Sequence, residues 1–217
     1  MNRQTEKTKL TGLAYFGKMM ALISHEIKNS LAIINENAGL MEDLSLMAKK
    51  GYSLDPERTG TIAGRVVRQV QRADTTVKRM NRLAHSVDNP VTGIDVAETL
   101  AFTLELGEKT FSTLGLRVEV APLDRPVIIN TNEFLFMNLI WEILGYAVQG
   151  GGRAENITIA IRRNDNGVDL VFSPHHAVEG AKVPWDRALE EALGAEILSF
   201  VDTWELLLKI PEILKKV

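Results

Sequence analysis

The chain has 217 residues, 45% of them hydrophobic, a formal net charge of −3 and no cysteine. That length and apolar content suit one medium domain or two small ones with real cores, the charge supplies no general basic field to attract nucleic acid, and the missing cysteines exclude disulfides and thiolate metal sites. Met1–Lys7 is polar with no apolar core of signal-peptide length behind it, and no run approaches the roughly 18 apolar residues of a membrane span, so the expectation is a cytoplasmic, non-membrane protein.

From about Thr11 to Lys50, apolar residues step by three or four through Leu13, Phe16, Met20, Ile23, Ile27, Leu31, Ile34, Ala38, Met41 and Leu44. This is the signature of one long helix with a narrow seam. Gly51-Tyr52-Ser53-Leu54-Asp55-Pro56 ends it and starts another, predicted over Pro56–Val87 with its own seam through Ile62, Val66, Val70, Ala73, Val77, Met80, Ala84 and Val87. A lone hairpin buries two such stripes poorly. A homodimer forming a four-helix bundle solves the problem; the alternative is that the stripes pack on the C-terminal half of the same chain.

Asp88-Asn89-Pro90-Val91-Thr92-Gly93 is a breaker cluster and the expected boundary between domains 1–89 and 90–217. Beyond it the pattern predicts a helix over Asp95–Leu114, strands at Arg117–Ala121 and Pro126–Asn130, and an apolar helix over Phe134–Val148 capped by Thr131-Asn132-Glu133. The loop Gln149–Arg153 follows. Ile157–Ile161 and Val168–Phe172 then alternate as two strands of a hairpin around Arg163-Asn164-Asp165-Asn166-Gly167. A helix over Trp185–Leu193 and strands at Glu196–Phe200 and Thr203–Ile210 complete an α+β layer.

Inside the first helix, Ser24-His25-Glu26-Ile27-Lys28-Asn29-Ser30-Leu31-Ala32 is a polar patch able to do chemistry. Neutral imidazole is a competent nucleophile toward an activated phosphoryl group and yields a labile phosphoramidate. His25 stands two residues from both Ile23 and Ile27, so it faces off the seam. Lys28 and Asn29, three and four residues on, share its flank: Lys28 would neutralise phosphoryl oxygens, and Asn29 would orient a water or the phosphoryl group. Glu26, about 100° round the helix, suits a hydrogen-bonding base acting through a partner or a water. His85 near the end of the second helix has no evident partner, His175-His176 reads as a loop pair, and Met19, Met20 and Trp141 read as core.

His25-Glu26-Ile27-Lys28-Asn29-Ser30-Leu31 resembles the His-Glu-x-x-Asn-Pro-Leu box of the dimerisation and histidine-phosphotransfer domain of two-component sensor histidine kinases, with Ser30 in place of the proline. The segment from Val91 to Pro211 resembles the ATP-binding domain of the same family. The resemblance implies an α/β-sandwich, a dimeric four-helix bundle, and receiver domains of response regulators as partners. It breaks at the nucleotide boxes. Asn138-Leu139-Ile140-Trp141-Glu142-Ile143 places Glu142 where the family has a second asparagine that helps hold Mg²⁺ on the triphosphate. Ser173-Pro174-His175-His176 stands where Asp-x-Gly-x-Gly is expected, and Ser173–Pro184 is too short for the family's lid. Asp165-Asn166-Gly167 imitates the box but reads as a hairpin turn.

The expectation is a histidine phosphotransferase without ATP, relaying phosphoryl groups between receiver aspartates through His25, with Glu26 and Asn29 at the positions the family uses for regulator dephosphorylation. No cofactor is expected beyond Mg²⁺ carried by a docked receiver domain, and the remains of a nucleotide pocket would lie at Asn138 and Glu142. Two other readings stand beside it. One is a divergent ATP-dependent kinase with Glu142 as a substitute Mg²⁺ ligand; the other is a non-enzymatic dimeric scaffold for a response regulator.

Overall fold

The structure, a computed structural model, describes residues 3–149, 156–173, 187–200 and 205–214. Two compact units divide it: a helical unit, Gly17–His85, and an α/β unit, Met1–Phe16 with Ser86–Val217. The fold is mixed α and β, with long N-terminal helices and a C-terminal α/β-sheet domain.

The helical unit is a hairpin of α1 (Arg3–Lys49) and α2 (Pro56–His85), and α1 runs without a break from one unit into the other. With serine rather than proline at position 30 the backbone ladder has nothing to interrupt it. α1 ends in a Schellman motif. The Gly51 amide donates to Ala48 O at 3.0 Å and the Tyr52 amide to Met47 O at 3.2 Å, with Gly51 at φ 89 in the left-handed region that suits glycine. Asp55 caps α2, accepting from the Glu57 amide at 2.9 Å, and Pro56 takes the first helical position where no donor is needed.

The hairpin seam differs from the apolar count. The residues buried on α1 within this unit are Met19, Ile23, Ser30 and Asn37, and on α2 they are Ile62, Thr76 and Leu83. Ile23, Ser30 and Asn37 repeat every seven residues, as do Ile62, Gln69, Thr76 and Leu83, which is the period of two helices packed along their length. Polar members bond their own helices: Asn37 Nδ2 donates to Ile33 O at 2.7 Å and Thr76 Oγ1 to Arg72 O at 3.0 Å. Asn37 Oδ1 and Gln69 Oε1 are buried with no partner among the described residues. Leu31 and Val70, expected in the seam, are 54% and 52% exposed. One chain covers only one flank of each stripe.

In the α/β unit β1 (Thr92–Asp95) leads into α3 (Val96–Thr113), followed by β2 (Arg117–Val120), β3 (Ile128–Thr131) and α4 (Glu133–Gln149). Then come β4 (Asn156–Asn164), β5 (Gly167–Ser173), α5 (Arg187–Leu193), β6 (Glu196–Phe200) and β7 (Glu205–Pro211). Five strands form a sheet in the order β2-β4-β5-β7-β6, with β2 and β4 parallel and the other pairs antiparallel, while β1 and β3 make a separate two-stranded ribbon. Alternate residues of the central strands, among them Ile157, Ile159, Leu170, Phe172, Leu206 and Leu208, are buried. Asp95 and Asn132 cap α3 and α4, accepting from the Ala97 amide at 2.9 Å and the Leu135 amide at 2.8 Å.

The first turns of α1 complete this core. Tyr15 lies with ring centroids 5.6 Å from Phe134 and 6.1 Å from Trp141, and Thr8 Oγ1 donates to Ala188 O at 3.4 Å. Burial raises the Tyr15 hydroxyl above its ordinary pKa. The first turns of α1 therefore pack on the C-terminal half of the chain through Tyr15 and Phe16, while Leu13, the first residue of the expected stripe, is 68% exposed.

Two local expectations need correction. The breaker cluster hides strand β1, because its pairing partner, β3, lies far along the chain and its own residues include Gly93. The hairpin turn is Asp165-Asn166, closed by the Asn164–Gly167 pair. Gly167 belongs to β5, where a side chain would strike the backbone carbonyl of Ile210 on β7. His175-His176, Gly150–Arg153, most of Ser173–Pro184, and the expected starts of α5 at Trp185 and β7 at Thr203 lie outside the described residues.

Candidate functional site

His25 sits in the helical unit on an uninterrupted helix, exposed, as are Ser24, Lys28 and Asn29; Glu26 is half-buried. The i,i+4 geometry brings the Asn29 amide nitrogen to 3.2 Å from His25 Nδ1. Lys28 stands on the same flank with its side chain in solvent. Of the four sequence-predicted residues, then, two are in direct contact, a third is beside them and the fourth turns toward α2.

Glu26 meets α2. Its Oε2 is 4.0 Å from Arg79 Nη1, both side chains about a quarter exposed, at 26% and 25%. Arg79 is the residue that reading the sequence missed. The signal was present: in an antiparallel hairpin, residues equally far from the turn come level, and positions 26 and 79 are equidistant from the Tyr52–Ser53 bend. The site thus presents an imidazole, an amide bonded to one of its ring nitrogens, an ammonium one turn away and a carboxylate steadied from the neighbouring helix. Such a set fits phosphoryl acceptance: nucleophile, orienting dipole, neutralising cation and base.

The expected nucleotide positions are arranged differently. Asn138 on α4 is fully buried, and neither its oxygen nor its nitrogen has a partner among the described residues. Glu142, one turn on, is half-buried. Among the described residues no three His, Asp or Glu side chains converge to hold a metal ion, and no described helix is long and apolar enough to cross a membrane.

The sequence matches no protein-family model and no curated protein. Solved structures to which the fold is similar include the histidine kinase AdeS of Acinetobacter baumannii, at 14% identity and TM-score 0.47, covering 87% of this chain and 98% of that one. The ATP-binding domain of PrrB from Mycobacterium tuberculosis is similar at 14% identity and TM-score 0.47, over 57% of this chain and 98% of that one. Histidine kinase ThkA in complex with response regulator protein TrrA is similar at 15% identity and TM-score 0.45, over 97% of this chain and 64% of that one.

Proposed function

We infer that the chain is a phosphoryl-transfer protein of the two-component class. Its particular role is a dimeric histidine phosphotransferase that relays phosphoryl groups between receiver-domain aspartates through His25, without using ATP. The observation that carries the reading is the exposed His25 with Asn29 at 3.2 Å from its Nδ1.

As placed, Asn29 Nδ2 donates to Nδ1, and the neutral ring then carries its hydrogen on Nε2. A half-turn of the exposed amide presents Oδ1 instead, which accepts a hydrogen from Nδ1 and leaves the lone pair on Nε2. Nε2 attacks the phosphorus of a receiver's aspartyl phosphate, the N–P bond forms, the P–O bond breaks, and its electron pair returns to the leaving carboxylate. The hydrogen stays on Nδ1, bonded to Asn29 Oδ1, whose dipole offsets the positive charge that the ring gains as the N–P bond forms. Lys28 neutralises phosphoryl oxygens as the group crosses. The reverse step delivers it to a second aspartate. The same reading gives Glu26 and Asn29 a second role, activating a water toward a phosphorylated regulator, so that dephosphorylation would accompany transfer.

Dimerisation belongs to the same reading. Leu31 on α1 and Val70 and Val77 on α2, at 54%, 52% and 37% exposure, lie on one face of the hairpin, and a second copy covers that face as a four-helix bundle.

The test is incubation with a phosphorylated receiver domain, followed by assay for acid-labile phosphate on the chain. Label on the wild type that is lost in His25→Ala supports the relay. An unlabelled wild type leaves only a scaffold, and micromolar ATP affinity by calorimetry would put the kinase reading in its place.

A further inference from the structure

The tip of the β4–β5 hairpin, Asp165-Asn166-Gly167, holds the one asparagine of the chain that is followed by glycine. Asp165 and Asn166 are exposed, and Gly167 is buried. In such a pair a five-membered ring can close, because the asparagine Cγ reaches the next backbone nitrogen and glycine has no Cβ to hinder the approach. Other asparagines are better protected. Asn29, followed by Ser30, is held in α1, where helical ψ turns the next amide away from the side chain. Asn164 is engaged in the turn itself, donating to Asp169 Oδ1 at 2.7 Å and accepting from the Asn166 amide at 2.8 Å.

Packing fixes the glycine. Its φ is 155, a value that residues with a Cβ rarely adopt, and a Cβ would strike the Ile210 carbonyl oxygen and come within 2.7 Å of the Glu212 nitrogen. The fold therefore keeps the residue that makes Asn166 reactive. A chain of hydrogen bonds starts at the same turn. Asn166 O accepts from the Glu212 amide at 2.9 Å, Glu212 O accepts from the Asn130 amide at 2.8 Å, and Asn130 O accepts from the Leu214 amide at 2.8 Å. Arg163 Nη2 adds a bond to Glu212 Oε1 at 2.7 Å. At this turn, then, the C-terminal segment passes from the hairpin to β3, two residues before the Asn132 cap of α4.

We propose that Asn166 is a site of spontaneous deamidation to isoaspartate, and that this modification releases residues 212–214 from β3. The Gly167 nitrogen, having lost its proton, attacks Asn166 Cγ. The N–Cγ bond forms, the Cγ–Nδ2 bond breaks, and Nδ2 leaves as ammonia with the proton that balances the step. Water then opens the succinimide at either carbonyl, giving aspartate or isoaspartate. Isoaspartate routes the backbone through Cγ, which adds a methylene and moves the carbonyl that held the Glu212 amide. Gly167 pairs with Asn164 in the ladder, so ring closure waits on a brief opening of the turn, and urea should speed it. The proposal goes beyond the relay reading and stands whether or not His25 carries phosphate.

The full chain is incubated at mildly alkaline pH, where more of the backbone nitrogen is deprotonated, both folded and in urea. Tryptic mapping and tritium labelling by an isoaspartate-specific carboxyl methyltransferase then locate the product. Label in the folded chain that is confined to the peptide beginning at Asn164, and is absent from Asn166→Gln, whose side chain must close a larger ring, supports the site. Amide exchange followed by NMR reads the release. In the aged chain the Asn130, Glu212 and Leu214 amides should exchange at least about tenfold faster, whereas Asn166→Asp, with the charge but not the extra methylene, should exchange as wild type does. A folded chain that stays unlabelled at Asn166, or is labelled first at Asn29, overturns the site. Label at Asn166 with unchanged exchange at the three amides overturns the release, as does faster exchange in fresh Asn166→Asp, which would assign the effect to charge.

Discussion

The contact between Asn29 and His25 is the shortest route from this sequence to a chemical step, because it needs nothing beyond one helical turn. Its sense can be read by substitution. Asn29→Ala removes a hydrogen bond of ordinary net strength, about 0.5–1.5 kcal/mol, so transfer from a phosphorylated receiver should slow about 2- to 10-fold. Asn29→Asp offers only acceptors and should keep the rate, since the transfer step needs an oxygen at Nδ1. A single-turnover rate for Asp as low as for Ala would show that the amide acts as a donor. Asn138 argues differently. Its buried amide lacks partners among the described residues, and a buried polar group left unsatisfied costs about 1–3 kcal/mol. Asn138→Leu, which keeps the branched outline, should therefore be as stable as wild type or more so in urea denaturation; a loss of about 2 kcal/mol would mean that the amide is engaged.

At the scale of elements, local chemistry was the legible part. Gly51, Asp55 and Pro56 mark the α1–α2 turn by conformations and caps that depend on adjacent residues alone, and the alternating strands β4 and β5 advertise themselves by period. What depended on distant residues was hidden. β1 pairs with β3 across the whole of α3 and β2, the hairpin seam runs through Ser30, Asn37, Gln69 and Thr76, which an apolar count passes over, and Arg79 joins the site only through the antiparallel register. Gly107 belongs to this hidden class, since inside α3 it reads as a mere weakness in the helix. A Cβ there would run into the Phe111 ring and come within 2.8 Å of Trp141, whose ring centroid is 5.0 Å from that of Phe111. The glycine lets α3 and α4 approach. Gly107→Ala gains up to about 1 kcal/mol in helix propensity but overpacks the core at about 1–3 kcal/mol, so the net effect should be a lower denaturation midpoint together with an altered near-ultraviolet signal from Trp141. A stabilised variant would show that the rings can step aside.

The whole molecule hangs on one helix with two employments. Up to Phe16 α1 serves the α/β unit through Tyr15, and from Gly17 onward it serves the hairpin that carries His25. The α/β unit has a continuous apolar core, whereas the hairpin's seam contains buried amides whose oxygens have no partner among the described residues and leaves apolar residues outside. Helices of this kind draw their stability from tertiary packing rather than from propensity, so the hairpin is the part that gains most from a second copy. Sedimentation of the wild type should accordingly give a two-chain species, and Leu31→Asp with Val70→Asp, which sets a carboxylate into the shared face from each helix, should shift it to one chain. Near-ultraviolet dichroism from Tyr15 and Trp141 should persist in that variant because those rings lie in the other unit, while the hairpin's helical signal should melt at a lower temperature and the melt should lose its dependence on protein concentration. A wild type that sediments as one chain at every concentration, with the exposed face intact, would remove the four-helix bundle from the reading and leave the His25 site to work on a single hairpin.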